Sequence, residues 1–210
     1  MKSRNRNLIL IVSLTFLVAV FISCSKREIK NADSKGKNII CFGDSITLGY
    51  GANEGEDYPS ELARLVNRPV FNMGVDSETS EEALKRLNKD VLEREPILVI
   101  IEFGGNDFLK KIPRAATMRN IKEMIDNIHA QGAMAAIVDI SSGMFLADYR
   151  QDLSKLAKEE GAIFIPSILR GIITNPSMKS DFFHPNGAGY KLIAHDVFRA
   201  IKSYLRKTPT

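Results

Sequence analysis

"NIICFGDSITLGYG", residues 38–51, decides how this chain is read. Its first five residues, Asn38 and four apolar residues after it, form a run of strand length, and the run breaks at once into Gly43, Asp44 and Ser45, with Gly49 and Gly51 close behind. A short apolar run bounded by turn residues reads as a buried strand. Such a strand, ending on a tight polar turn, presents a serine hydroxyl at its carboxyl end.

Four more runs of the same kind follow, at 69–73, 97–103, 133–140 and 162–168. Amphipathic helical patterns separate them, over 59–66, 80–93, 117–131 and 147–160, with a last one over 187–204. Ser80 followed by Glu81 and Glu82 suits a helix start, and Gly132 and Gly161 suit helix stops. Strand-like runs alternating with helices imply βαβ units and a parallel sheet, and near-continuous hydrophobicity implies that both faces are covered. The expected architecture is an α/β three-layer α/β/α sandwich with a five-stranded parallel sheet, flavodoxin-like in outline. Its crossovers should be right-handed and its ligand crevice should lie at the carboxyl ends of the strands.

With 210 residues and 44% hydrophobic content, the chain is long enough for one domain with a proper core. Lys2, Arg4 and Arg6 precede an apolar run from Leu8 to Ile22 that ends in Ser23 and Cys24, the layout of a secretory signal. The run is interrupted by Ser13 and Thr15 and is shorter than the ~20 residues a spanning helix needs. "VFISC", residues 20–24, resembles the lipobox of bacterial lipoproteins, with Phe21 where that pattern usually carries leucine. The resemblance implies a signal over 1–23, lipidation of Cys24 and a membrane-anchored, exported protein of the bacterial envelope. A polar tether over 24–37 would then lead into a domain over 38–207. Cys41 lies inside the first apolar run, so it reads as a small core residue rather than a disulfide partner of Cys24.

The formal charge of +4 does not point to nucleic acid. The signal contributes +3 and leaves +1 for the rest of the chain, of which residues 25–37 carry a net +3, so the domain itself is slightly acidic. A basic tether beside a lipid anchor fits attraction to anionic head groups, and a solvated linker fits equally well.

Each of the first three strands ends in a compact polar group: Gly43-Asp44-Ser45, Asn72-Met73-Gly74 and Gly104-Gly105-Asn106-Asp107. In an open parallel sheet these turns face one crevice, so a hydroxyl, a backbone amide and a side-chain amide converge, a set that suits an oxyanion hole. A serine needs a base to become a nucleophile. His129 and His195 fall within helical patterns, where an ordinary helical histidine explains them. His184 lies in "SDFFHPNGAGY", residues 180–190, with Asp181 three residues upstream on a turn, close enough to orient the imidazole.

These four blocks resemble the SGNH branch of the GDSL-type lipase and esterase family, with Ser45, Gly74, Asn106 and His184 as the four name letters over about residues 38–204. The resemblance implies a serine esterase acting on carboxylic esters or thioesters without cofactor or metal. Ser45, His184 and Asp181 would form the triad, and Ser45, Gly74 and Asn106 the oxyanion hole. Gly43 would let the chain turn sharply and Gly74 would let its amide approach substrate. Asp44 and Asp107 read as turn acids that accept from loop amides, since no further ligand set accompanies them.

Two loops are expected to shape the pocket. Phe108 and Leu109 lie in the first, and Met144 and Phe145 in the second, as substrate-binding candidates or as packing for adjacent helices. In length and in "GDSITLGYG", residues 43–51, the chain is most like the arylesterase, thioesterase and lysophospholipase subgroup, which implies an acyl ester of a lipid or aryl alcohol and a monomer. A carbohydrate O-acetylesterase and a non-catalytic surface lipoprotein are the alternatives. A flavodoxin-like binding protein would need a phosphate loop after the first strand, and "GDSITLG", residues 43–49, has neither the GxGxxG spacing nor a Lys-Ser/Thr pair.

Overall fold

A computed structural model describes residues 28–142 and 146–205; the signal-like segment, Cys24, Met144 and Phe145 lie outside the described residues. Strands β1 (Asn38–Gly43), β2 (Val70–Gly74), β3 (Pro96–Glu102), β4 (Met134–Val138) and β5 (Ile163–Ile165) form one parallel sheet in the order β2-β1-β3-β4-β5. Around it lie α1 (Ser45–Leu48), α2 (Tyr58–Val66), α3 (Ser80–Asp90), α4 (Gly105–Leu109), α5 (Arg114–Ala130), α6 (Ala147–Glu160) and α7 (Gly187–Leu205).

Alternation along the strands divides the core in two. Ile39 and Cys41 face the layer of α2 and α7, where Leu62, Tyr190 and Ile193 are buried. Ile40 and Phe42 face α3, α5 and α6, with Leu87, Ile121 and Leu153. All seven residues of β3 are buried, as expected of a strand covered on both faces. Each large aliphatic side chain buried in this way contributes roughly 1.5–3 kcal/mol. Cys41 is buried and free.

The differences from the expected elements have local causes. β2 is an edge strand, and all five of its residues are half-buried rather than covered on both faces. The fourth and fifth strands are shorter than the runs 133–140 and 162–168, because Asp139 takes over the backbone beyond them. Its carboxylate accepts from the N–H groups of Ser141 (2.8 Å) and Ser167 (2.9 Å), and its carbonyl accepts from Ile168 (3.0 Å). α3 starts at Ser80, capped by Thr79 in a capping box with Glu82, which stabilises it by about 1 kcal/mol. It ends at Asp90, and a 3₁₀ turn (Leu92–Arg94) follows.

Part of the loop expected to carry Phe108 and Leu109 is helical, since α4 runs to Leu109 and α5 begins at Arg114 behind Pro113. Gly161 follows α6 as its left-handed cap. The polar tether does not extend to 37. Ile29 packs against the core, the Asn31 side chain donates to the carbonyls of His129 (2.9 Å) and Ala133 (3.0 Å), and Ser34 is buried. Among the described residues, no helix is long and apolar enough to cross a membrane.

Candidate active site

β1 and β3 are neighbours where the strand order reverses, so the segments that leave their carboxyl ends border one crevice. Asp44 caps α1 by accepting from the N–H of Ile46 (3.0 Å), which places Ser45 as the first residue of that helix, 7% exposed. Gly43 has a different reason to be glycine from the sharp turn expected of it. A Cβ there would fall on Thr47 Oγ1 and Glu102 Oε2, so the residue is needed for close approach of a buried carboxyl.

His184 is presented by a closed loop. Lys179 and Pro185 form an antiparallel bridge, and the N–H of Ser180 donates to the His184 carbonyl (3.0 Å). Asp181 Oδ1 accepts from the N–H groups of Phe183 (2.8 Å) and His184 (2.8 Å), closing a tight turn. Its Oδ2 lies 2.8 Å from His184 Nδ1, while His184 Nε2 lies 3.0 Å from Ser45 Oγ. Facing a carboxylate, Nδ1 carries the ring proton, which leaves Nε2 to accept from the serine. Burial works against the Asp181 charge, but hydrogen bonds from the His184 ring and from the His184 and Phe183 amides hold its carboxyl below the usual range. The Tyr50 ring lies 4.6 Å from the imidazole at a tilt of 43°. Neither of the other two histidines lines the crevice, since His129 is buried on α5 and His195 is exposed on α7.

The three expected oxyanion donors are placed differently from one another. The Ser45 N–H, at the start of α1, meets no acceptor among the described residues. Asn106 lines the crevice, and its amide donates to Asp44 Oδ2 (3.0 Å) and to the Glu78 carbonyl (3.1 Å). Gly74 does not line it. The Gly74 N–H is taken by Asn72 Oδ1 (2.9 Å), and a Cβ there would fall on the backbone of Leu48, so this glycine serves the packing of α1 on β2. The residues of this loop that line the cleft with Ser45 are Asp76 and Ser77. The φ of Ser77 is 61°, a left-handed conformation, and its N–H meets no acceptor among the described residues. No glycine marks the spot, which is why the sequence hides it.

A cleft of about 500 Å³ opens beside Ser45 and His184. Leu109 lines it, as expected, but Phe108 turns away to stack edge-on with Tyr149, ring centroids 6.2 Å apart. Its other apolar walls include Leu169, Ile173, Phe182 and Phe183, none of which the sequence singles out. Phe182 and Phe183 pack edge-on against each other at 4.9 Å and remain 73% and 48% exposed at the rim.

Beneath the turn that carries Ser45 lies a polar layer. Glu102, at the end of β3 and wholly buried, accepts from Thr47 Oγ1 (2.9 Å) and the Asp44 N–H (3.3 Å), and Thr47 Oγ1 is 3.2 Å from the Tyr58 hydroxyl. Burial raises Asp44 to about 6, against hydrogen bonds from Ile46 and Glu102 that lower it. Asp107 is wholly buried and accepts from the N–H of Ser80 (2.9 Å) and the hydroxyl of Thr117 (3.0 Å), tying the third-strand turn to α3 and α5. Arg86 binds the Met73 carbonyl (2.9 Å), pairs with Glu78 and lies over the Phe42 ring, so it braces the loop that carries Ser77. Among the described residues, no three His, Cys, Asp or Glu side chains are grouped to hold a metal ion.

A serine hydroxyl, an imidazole and a carboxylate in file, at the carboxyl ends of a five-stranded parallel sheet, define an α/β/α hydrolase. The chain belongs to the GDSL-like Lipase/Acylhydrolase family, whose model matches residues 41–192, and it is an ester-bond hydrolase. It is 28% identical to an arylesterase of Vibrio mimicus over 83% of this chain and 92% of that one. It is 26% identical to thioesterase 1/protease 1/lysophospholipase L1 of Escherichia coli (strain K12), over 74% and 79% of the two chains. Among solved structures, the crystal structure of TesA superposes with a TM-score of 0.75 at 24% identity, over 80% of this chain and 99% of that one.

Proposed function

We propose that the chain hydrolyses acyl esters or thioesters of lipid or aryl alcohols through an acyl-enzyme on Ser45. In this reading His184 Nε2 takes the Ser45 proton as the hydroxyl attacks the carbonyl, then returns it to the departing alcohol or thiol. Asp181 holds the ring in the tautomer that leaves Nε2 free. The single observation that carries the reading is the 2.8 Å and 3.0 Å file from Asp181 through His184 to Ser45. The developing oxyanion is met by the N–H of Ser45 and that of Ser77. Asn106 joins them if its amide turns from Asp44 or Glu78 toward the new negative charge.

The apolar walls of the cleft support a long acyl chain rather than an acetyl group on the acid side of the ester. A panel of p-nitrophenyl esters from acetyl to dodecanoyl tests this. Rising kcat/KM with chain length is expected, and a sharp optimum at acetate would make the chain an O-acetylesterase instead. Activity absent across the panel from folded protein would favour a surface lipoprotein without catalysis.

We further propose export and attachment through Cys24, on the sequence features of residues 1–24. The first described residues enter at the end of the sheet opposite Ser45, where the Lys30 N–H binds the Gly161 carbonyl (2.9 Å) and the Lys37 N–H the Glu95 carbonyl (2.9 Å). Attachment there would leave the cleft opening away from the anchoring surface.

A further inference from the structure

Glu102 is a carboxyl in an unusual setting. It closes the most buried strand of the sheet, none of its surface is exposed, and no cation pairs with it among the described residues. One oxygen, Oε2, accepts from Thr47 and from the Asp44 amide, whereas Oε1 has no partner. An ionised carboxylate so placed has two weak donors to offset the loss of water, which is far too little. The Asp44 carboxyl is buried beside it, on the residue whose own N–H donates to Oε2 (3.3 Å), and two buried carboxyls this close cannot both be charged. The pair therefore keeps one proton, and the partners decide where. Asp44 accepts from the Ile46 N–H through Oδ1 and from the Asn106 amide through Oδ2, two donors that favour its ionised form. Burial pushes Glu102 well above the usual range, in the same direction.

We propose that Glu102 is a positioning residue: as the neutral acid it donates a hydrogen bond to the Asp44 carboxylate, and through Asp44 it fixes both the turn that carries Ser45 and the amide of Asn106. Gly43 is part of this device, because any side chain there would displace the Glu102 carboxyl from under the turn. Glu102 itself touches no substrate, since it does not line the cleft. Its effect should appear in turnover rather than in substrate affinity. The proposal rests on the reading of Ser45 as the nucleophile, so one of its tests must not need activity.

Glu102→Gln and Glu102→Met separate the possibilities. Glutamine can donate to Asp44 and accept from Thr47, so E102Q should keep kcat within about threefold; a misplaced turn in E102M should lower kcat on the order of 10- to 100-fold with KM nearly unchanged. Infrared difference spectra at pH 8 should show the C=O stretch of a protonated carboxylic acid that is lost in E102Q, whatever the catalytic serine is. A missing band, or E102Q losing as much turnover as E102M, would overturn the proposal. If E102M does not fold, Thr47→Val, which removes only the hydroxyl bound to Oε2, should lower kcat severalfold at constant KM, and unchanged kcat would count against it. Loss of phosphonate labelling at Ser45 would instead overturn the nucleophile assignment and leave the infrared result standing.

Discussion

His184 Nε2 lies 3.0 Å from Ser45 Oγ across a sequence separation of 139 residues. If that contact carries proton transfer, Ser45→Ala and His184→Ala should each lower ester hydrolysis by at least about 10³-fold. Asp181→Asn should lower it by roughly 10²- to 10⁴-fold, because the ring then loses its orienting acceptor. Ser45 and His184 line the cleft and Asp181 is exposed, so thermal unfolding should move little. Initial rates with a p-nitrophenyl ester, set beside melting curves, check both statements.

The rim phenylalanines should set chain-length preference. Phe182→Ala and Phe183→Ala each remove apolar wall from the rim of the cleft. The expected result is a fall of about 10-fold in kcat/KM for a dodecanoyl ester, with the acetyl ester almost unchanged. Equal losses on both esters would assign these residues to the posture of the His184 loop instead.

Gly74→Ala should destabilise the fold rather than subtract an oxyanion donor. The new methyl would meet the backbone of Leu48, which cannot swing aside as a side chain can, so a loss of about 2–3 kcal/mol in urea unfolding is expected. Arg86→Ala should act similarly, costing roughly 2–4 kcal/mol by leaving Glu78 buried without its partner.

The raised Asp44 carboxyl makes stability depend on pH with a defined sign. The native state holds this proton more tightly than the unfolded chain, so its contribution is present below about pH 4 and is lost as pH rises toward about 6. Asp44→Asn removes that dependence. The stability of the native protein relative to D44N should therefore decline between pH 4 and pH 6.5, by on the order of 2–3 kcal/mol, and any constant cost of the substitution cancels in the comparison. Urea titrations at the two pH values measure it.

The sheet and its crevice were legible because β-strand runs and turn glycines are written locally, and Ser45, Asn106 and His184 each follow such a boundary. What escaped reading depends on contacts across the sheet. Gly74 carries the family letter at a strand end, yet the residues of that loop that line the cleft are Asp76 and Ser77, and at Ser77 a serine occupies a conformation for which glycine is the usual sign. α1 spans four residues, too few to show a helical period. Phe182 and Phe183 look like ordinary exposed loop residues until the loop is folded over the cleft. Glu102 did leave a trace, a lone acid directly after five apolar residues in a strand covered on both faces, and a buried carboxyl of that kind needs an explanation.

Mass spectrometry of the protein after treatment with a fluorophosphonate tests the central assignment most directly. One adduct per chain is expected, mapped to the peptide that holds Ser45, formed at a rate that collapses in His184→Ala and after heat unfolding. A folded protein that takes up no label, or takes it up on another serine, contradicts the account.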